Sequence, residues 1–178
     1  MATAEITGNS TMQEVLDTYP GAQRALMRGY HIGGCSSCGF AQGDRLSDVL
    51  AGKNVLNVDE VIEFIKGSHE EEQRIQIDPQ ELAKALKGDT PPRLIDMREP
   101  DEQNIAHIEG SQPATQELVQ EMMATWAKDT PIVTYCHLGR RGLDAASYLI
   151  GHGFTNVRSL RGGIDTWAER IEPSMARY

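Results

Sequence analysis

Hydrophobic residues in the second half of the chain follow two alternating patterns. Short apolar runs rich in β-branched residues predict strands, and apolar residues at helical spacing predict helices between them. The predicted strands cover residues 75–77, 93–97, 132–135 and 154–160, with a short strand or bend at 108–112, and the predicted helices cover 79–88, 116–128, 143–152 and 164–170. Strands that alternate with helices are typical of a parallel β-sheet with helices on both faces, so we expect an α/β domain over residues 75–178.

The first part of the chain has only helical spacing. Two short helices over residues 12–18 and 21–28 should meet at Pro20, because proline interrupts a helix. Further helices are expected over residues 45–51 and 60–66. We therefore expect a small, mainly helical domain over residues 1–67.

A charged segment, residues 68–74, separates the two patterns and has no apolar periodicity. It is interpreted as a linker between domains, with a solvated extension of the preceding helix as the alternative.

Charge and cysteine usage narrow the possible functions. The net charge of −9 argues against nucleic acid as a partner, because phosphate binding needs a basic surface. The chain has no apolar run long enough to cross a membrane and no basic and apolar export pattern at its start, so we expect a cytoplasmic protein. Three cysteines in such a protein point to catalytic, redox or metal-binding roles more than to a disulfide framework.

The most informative stretch is PIVTYCHLGRRG, residues 131–142. A predicted strand ends at Cys136, and a loop leads into the next predicted helix. In this arrangement backbone N–H groups and a helix N-terminus point at the cysteine, which favours a nucleophilic thiolate. The candidate catalytic residue is Cys136, and the candidate substrate-binding residues follow it in the loop: His137, Leu138, Gly139, Arg140 and Arg141. The loop amides would surround an anionic sulfur, and the arginines would attract a small anion.

Five stretches, in order, resemble the rhodanese (sulfurtransferase) domain over about residues 75–173. They are LIDMREPDE, AHIEGS (with alanine where the family usually has glycine), PIVTYCHLGRRG, AASYLIGHGFTNVRSLRGG and GGIDTWAER. The resemblance implies a rhodanese-like fold and thiosulfate sulfurtransferase activity. It also implies that Cys136 carries a persulfide, that Arg141 closes the loop, and that Asp96 and Arg98 support the site.

Loop length separates sulfur transfer from phosphate chemistry on this fold. The spacing from Cys136 to Arg141 is C-x-x-x-x-R, the short loop of sulfurtransferases, whereas the related phosphatases and arsenate reductases have one residue more. We therefore expect sulfane sulfur to move from a small anionic donor, thiosulfate or a persulfide, to a thiol, a protein acceptor or cyanide. No cofactor and no metal are predicted for this reaction.

A second pair of thiols lies in the first domain, where Cys35 and Cys38 form a C-x-x-C. Residues 6–38 resemble the small helical domains described as hybrid-cluster-associated redox disulfide proteins, which implies a redox disulfide. An alternative function is thus a sulfur carrier or redox module in which Cys35 and Cys38 relay sulfur or electrons from Cys136 to a partner protein. A third hypothesis is a zinc ion or iron–sulfur cluster shared between two chains, since one chain offers too few ligands.

Overall fold

The computed structural model describes residues 5–33 and 39–178. The chain divides into two compact units, Met1–Arg74 and Ile75–Tyr178. Cys35 and Cys38 lie outside the described residues. None of the helices in the described ranges has the length and apolar character needed to cross a membrane.

The N-terminal unit is helical. Thr11 and Glu14 form a reciprocal capping box that starts the first helix, and the second helix ends where His31 adopts a left-handed conformation with φ of 57°. Gly29 lies inside that second helix, which runs two residues beyond its predicted end at residue 28. The helices are α1 (Met12–Thr18), α2 (Ala22–Tyr30), α3 (Leu46–Ala51) and α4 (Val58–Arg74).

The charged residues 68–74 are the last part of α4, which corrects their interpretation as a linker. The apolar periodicity ends before the helix does. The helix continues because contacts to α2 stabilise the polar end of α4. Nη2 of Arg24 lies 2.7 Å from Oε2 of Glu72, and Ser68 is buried. The first compact unit accordingly includes this segment.

The C-terminal unit contains one five-stranded sheet in the order β1-β5-β4-β2-β3, and all four strand pairs are parallel. The strands are β1 (Gln76–Ile77), β2 (Arg93–Asp96), β3 (Gln112–Pro113), β4 (Ile132–Tyr135) and β5 (Val157–Leu160). The helices are α5 (Pro79–Ala85), α6 (Pro100–Ile105), α7 (Gln116–Thr125), α8 (Arg140–Gly151) and α9 (Gly163–Arg170). The predicted parallel sheet flanked by helices is confirmed.

Side-chain alternation along the strands builds a hydrophobic core on each face of this sheet. Leu94 and Val133 belong to one core, together with residues of α5 and α9. Their neighbours Ile95 and Ile132 belong to the other core, together with residues of α7 and α8. Strands β2 and β4 are therefore covered on both sides, which explains why Leu94 and Ile95 of β2 and all four residues of β4 are buried.

Two elements differ from the expectation in ways that matter for the site. Helix α6 was not predicted; it begins at Pro100 behind a capping box between Glu99 and Glu102. Helix α8 begins three residues early, at Arg140, because Gly139 takes a φ of 89° that ends the loop there. Both changes bring charged side chains to the carboxyl edge of the sheet, where parallel sheets bind ligands.

Candidate active site

Cys136 directly follows β4, a strand whose four residues are all buried. The cysteine itself is only 2% exposed. It is a free thiol. The neighbouring strand β2 pairs with β4 in register, with Asp96 opposite Tyr135. Cys136 thus lies at the carboxyl ends of β2 and β4. Both strands are packed on both faces, which fixes its position.

The start of α9 fixes the direction of the loop after Cys136. The N–H of Ile164 donates to the carbonyl of Cys136 at 2.9 Å, and the N–H of Asp165 donates to the carbonyl of His137 at 3.2 Å. In a planar trans peptide the N–H points away from the carbonyl of the same unit. The N–H groups of His137 and Leu138 therefore point to the opposite side of the loop, away from α9.

Gly163 permits this contact between helix and loop. A Cβ atom at this position would collide with the carbonyl oxygens of Cys136 and His137. The residue also has a φ of 64°, which side chains disfavour. A glycine is consequently required where α9 approaches the loop.

The N-terminus of α8 closes the loop on its other side. The first bond of the helix runs from the N–H of Leu143 to the carbonyl of Gly139 at 3.0 Å, so the preceding N–H groups of the first turn have no partner within the helix. Gly142 brings this turn against β4, since a Cβ there would lie 3.0 Å from Cα of Tyr135. Amides without a partner in the helix and the positive end of a helix dipole thus lie beside Cys136, a setting that binds anions.

Arg141 lies between a carboxylate and the thiol. Its Nη2 donates to Oε2 of Glu102 at 2.9 Å and to Oε1 at 3.1 Å. The hydrogen bond to Glu102 raises the pKa of the Arg141 guanidinium, and the nearby Cys136 adds to the same effect. Burial acts to raise the pKa of Glu102, but the hydrogen bonds from Arg141, the N–H of Glu99 and the Tyr178 hydroxyl, together with the charge of Arg141, outweigh it and lower that pKa. Both partners are therefore charged at neutral pH.

Asp96 and Arg98 form a buried ion pair below the site. Nη2 of Arg98 lies 2.7 Å from Oδ2 of Asp96, and Nε lies 2.9 Å from Oδ1. The side chain of Asp96 is 2% exposed, and that of Arg98 is 0% exposed. Burial opposes the charge of Arg98, yet the hydrogen bonds and charge of Asp96 raise its pKa. Two residues expected to support the site are brought together, and their pairing satisfies both charges in the protein interior.

Tyr135 connects this pair to the strand that carries the thiol. Its hydroxyl lies 2.8 Å from Oδ2 of Asp96 and 2.8 Å from Oγ of Ser111. Burial raises the pKa of the Tyr135 phenol to about 12, so the hydroxyl keeps its proton. The residue before Cys136 is thereby tied to the buried carboxylate.

A residue near the end of the sequence also reaches the loop. The rings of His137 and Tyr178 lie 4.6 Å apart, and the Tyr178 hydroxyl contacts both Arg98 and Glu102. Nδ1 of His137 is buried and, among the described residues, has no hydrogen-bond partner. Tyr178 follows no helical or strand pattern, so sequence reasoning had no signal for it.

The remaining candidate residues have different surroundings. Leu138 is 59% exposed, and Arg140 is also exposed on the first turn of α8. Cys35 and Cys38 are outside the described ranges, so their proposed relay stays a prediction. Within residues 5–33 and 39–178, no group of three His, Cys, Asp or Glu side chains is arranged to hold a metal ion.

The class of protein follows from the fold, the loop and their agreement with a known family. The sequence model of the rhodanese-like domain matches residues 78–170. This stretch holds Cys136, Arg141, Asp96 and Arg98. The chain therefore belongs to the rhodanese-like family, and the resemblance in its sequence motifs is confirmed.

Curated relatives carry sulfurtransferase names. The chain is 36% identical over 104 residues to a probable adenylyltransferase/sulfurtransferase, MoeZ, of Mycobacterium tuberculosis. The aligned stretch covers 57% of this chain but only 26% of that protein. The chain is 34% identical over 89 residues to the thiosulfate sulfurtransferase GlpE of Pseudomonas fluorescens, covering 50% of this chain and 81% of that one. It is 33% identical to a sulfurtransferase of Allochromatium vinosum, and the alignment covers 57% of this chain and 94% of that protein. The chain thus spans about a quarter of the MoeZ sequence and most of the two shorter relatives.

Proposed function

We propose that the C-terminal unit is a sulfurtransferase in which Cys136 carries a persulfide between a sulfane donor and a thiol or cyanide acceptor. The observation that supports this most directly is the direction of the loop. The carbonyls of Cys136 and His137 are bonded to α9, so the following amides point away from that helix, where they can bind an anionic sulfur.

The first half of the reaction loads sulfur on the enzyme. The Cys136 thiolate attacks the outer sulfur of thiosulfate, a new S–S bond forms, and sulfite leaves with the electron pair of the broken S–S bond. The persulfide Cys136–S–S⁻ that results keeps one negative charge at its outer sulfur. The loop amides and the N-terminus of α8 stabilise this charge without the need for a proton donor.

The second half removes the sulfur. Cyanide or a thiolate attacks the outer sulfur of the persulfide, the Cys136–S bond to that sulfur breaks, and the Cys136 thiolate is regenerated. Thiocyanate or an acceptor persulfide is the product. Electrons and charge balance in each half, so no external oxidant or reductant takes part.

Arg141 and the buried pair have separate roles in this proposal. Arg141 is placed at the thiol by Glu102 and attracts the anionic donor. Asp96 and Arg98 fix the ends of β2 and β4, and the hydroxyl of Tyr135, the residue before the nucleophile, is bonded to Asp96. They are positioning residues, since the hydrogen bonds they make with the described part of the chain are not to the thiol.

The test is thiosulfate:cyanide turnover together with the mass of the loaded protein. Wild-type protein incubated with thiosulfate should gain one sulfur atom on the peptide that contains Cys136, and cyanide should remove it as thiocyanate. Cys136→Ser should do neither while keeping the circular dichroism spectrum of the wild type. Thiocyanate production by Cys136→Ser at the wild-type rate would disprove the proposal.

A further inference from the structure

A two-residue segment that follows α9, Arg177 and Tyr178, lies against the loop after the thiol. Arg177 makes a two-point ion pair with Asp165, in which Nε lies 2.9 Å from Oδ1 and Nη2 lies 3.0 Å from Oδ2. The N–H of Asp165 is itself bonded to the carbonyl of His137. The ion pair thus fixes the segment at the start of α9, next to the loop.

The ring of Tyr178 provides a second anchor for this segment. It packs on the ring of His137 with 4.6 Å between the centroids and 58° between the planes. Although Tyr178 is 48% exposed, the ion pair of its neighbour and the ring contact hold it from two sides. The Tyr178 hydroxyl therefore has a fixed place beside the loop.

The hydrogen bonds of this hydroxyl have a defined direction. Nη1 of Arg98 lies 2.7 Å away and can only donate, so the Tyr178 oxygen accepts there. The phenolic proton is left for Oε1 of Glu102, which lies 3.3 Å away and accepts it. Burial raises the pKa of the Tyr178 phenol, so the proton is present at neutral pH.

The carboxylate of Glu102 in turn positions Arg141. Nη2 of Arg141 donates to Oε2 at 2.9 Å and to Oε1 at 3.1 Å, and the guanidinium also interacts with Cys136. The N–H of Glu99 donates to Oε2 at 3.0 Å. Among the described residues, the only other group bonded to Oε1 is the Tyr178 hydroxyl. Because the Arg141 side chain is 46% exposed, its place at the thiol depends on this carboxylate.

We propose that Tyr178 is a positioning residue for sulfur transfer, whose hydroxyl fixes Glu102 and thereby holds the guanidinium of Arg141 at the thiol. This inference rests on the proposed function and adds to it a residue outside the stretch, residues 78–170, that matches the family model. Arg98 provides the rigid end of the connection, since its side chain is fully buried. Without the hydroxyl, the Glu102 carboxylate can turn, and Arg141 binds the anionic donor less tightly.

Steady-state kinetics on the full chain tests this inference through the split between KM and kcat. Tyr178→Phe keeps the ring on His137 and removes the hydroxyl, so we expect KM for thiosulfate to rise about fivefold and kcat to change less than about twofold. A purely structural role would lower the folded fraction, which reduces the apparent kcat and leaves KM unchanged. Tyr148→Phe is the matched control and should keep both constants. The Tyr148 ring also lies on a histidine, His152 at 4.1 Å, but its hydroxyl makes no hydrogen bond to the described residues.

A double-mutant cycle tests whether the hydroxyl acts through Glu102. In a Glu102→Ala background the acceptor is gone, so Tyr178→Phe should raise KM less than about 1.5-fold. An unchanged KM in Tyr178→Phe, or a rise that is equally large in both backgrounds, would overturn the inference. Either result, with normal turnover by the wild type, leaves the proposed function intact. A wild type that forms no thiocyanate from thiosulfate and cyanide would overturn the proposed function and this inference with it.

Discussion

The hydroxyl of Tyr178 accepts a hydrogen bond of 2.7 Å from Nη1 of Arg98, whose other nitrogens hold Asp96. The same hydroxyl lies 3.3 Å from Oε1 of Glu102, and the ring packs against His137. One side chain from beyond the last helix therefore links the buried ion pair, the carboxylate that holds Arg141, and the loop that follows the thiol. This residue lies outside the stretch that matches the family model, residues 78–170.

Tyr178→Phe should weaken this connection while keeping the ring on His137. The variant loses the hydrogen bond from Arg98 and the longer one to Glu102, while Arg98 keeps a contact of 3.3 Å to the carbonyl of Glu102. We expect the free energy of unfolding to fall by about 1–2 kcal/mol in chemical denaturation. Tyr148→Phe is the control and should change it by less than about 0.5 kcal/mol, because Tyr148 is exposed to a similar degree but its hydroxyl makes no hydrogen bond to the described residues. Equal effects of the two variants would show that the Tyr178 hydroxyl contributes nothing.

Asp96→Asn should be far more destabilising, because it leaves the buried guanidinium of Arg98 without a counter-charge. The two side chains are almost fully buried, so solvent does not screen the loss. We expect a decrease of about 3–5 kcal/mol in the free energy of unfolding. The measurement is urea denaturation followed by circular dichroism.

The matched control for Asp96→Asn is an exposed carboxylate–arginine pair. Glu81 lies 2.7 Å from Nη1 of Arg158, the same distance as the buried pair, but both side chains are about half exposed. Glu81→Gln should therefore cost less than about 1 kcal/mol. If Asp96→Asn cost no more than Glu81→Gln, burial of the Asp96–Arg98 pair would not be what makes it important.

The parts of this site that the sequence predicted are the local ones. Strand β4, the cysteine that follows it and the next helix are adjacent in sequence, so their apolar pattern and glycines were enough to place Cys136. Asp96 and Arg98 were recognised through a motif resemblance, since nothing in their spacing indicates a mutual ion pair.

The parts that the sequence did not predict are long-range contacts. Glu102 meets Arg141 across 39 positions, and Tyr178 meets Arg98 across 80. Such pairs leave no periodic signal, because each depends on where the sheet places two distant segments. The early start of α8 was missed for another reason: the loop contains two glycines, and only the structure shows that Gly139 rather than Gly142 has the positive φ.

Gly163→Ala tests whether α9 sets the direction of the loop after Cys136. A methyl group at this position collides with the carbonyl oxygens of Cys136 and His137, so the loop must move away from α9 and its amides lose their direction. We expect thiosulfate:cyanide kcat/KM to fall at least about a hundredfold, since displacements of about 1 Å at a reacting centre have that effect. Gly151→Ala is the control because a Cβ there meets nothing within 4 Å, and it should keep the wild-type rate. A Gly163→Ala enzyme of normal activity would mean that α9 does not set the loop direction.

The Glu102–Arg141 pair should give stability a defined dependence on pH. Its hydrogen bond from Arg141 lowers the pKa of Glu102 in the folded protein below the ordinary 4.5. A lowered carboxyl pKa stabilises the folded state fully above the unfolded pKa, and this stabilisation is lost as pH falls through the folded pKa. The difference in unfolding free energy between wild type and Glu102→Gln should thus be constant from pH 7 to about 5 and shrink below pH 4.5. Denaturation series at several pH values measure it, and a difference that grows towards acid would contradict the assignment.

Arg141→Lys tests whether the guanidinium, and not charge alone, serves the thiol. Nη2 of Arg141 reaches both oxygens of Glu102, and the same side chain interacts with Cys136, which a single ammonium group cannot reproduce in one geometry. We expect kcat/KM for thiosulfate to fall about ten- to a hundredfold, with most of the change in KM if the arginine binds the donor and most of it in kcat if it acts on the transition state. Arg158→Lys replaces an arginine of another ion pair, with Glu81, and should leave both constants as they are. If lysine restored the full rate at position 141, a positive charge at the edge of the sheet would be all that this site requires.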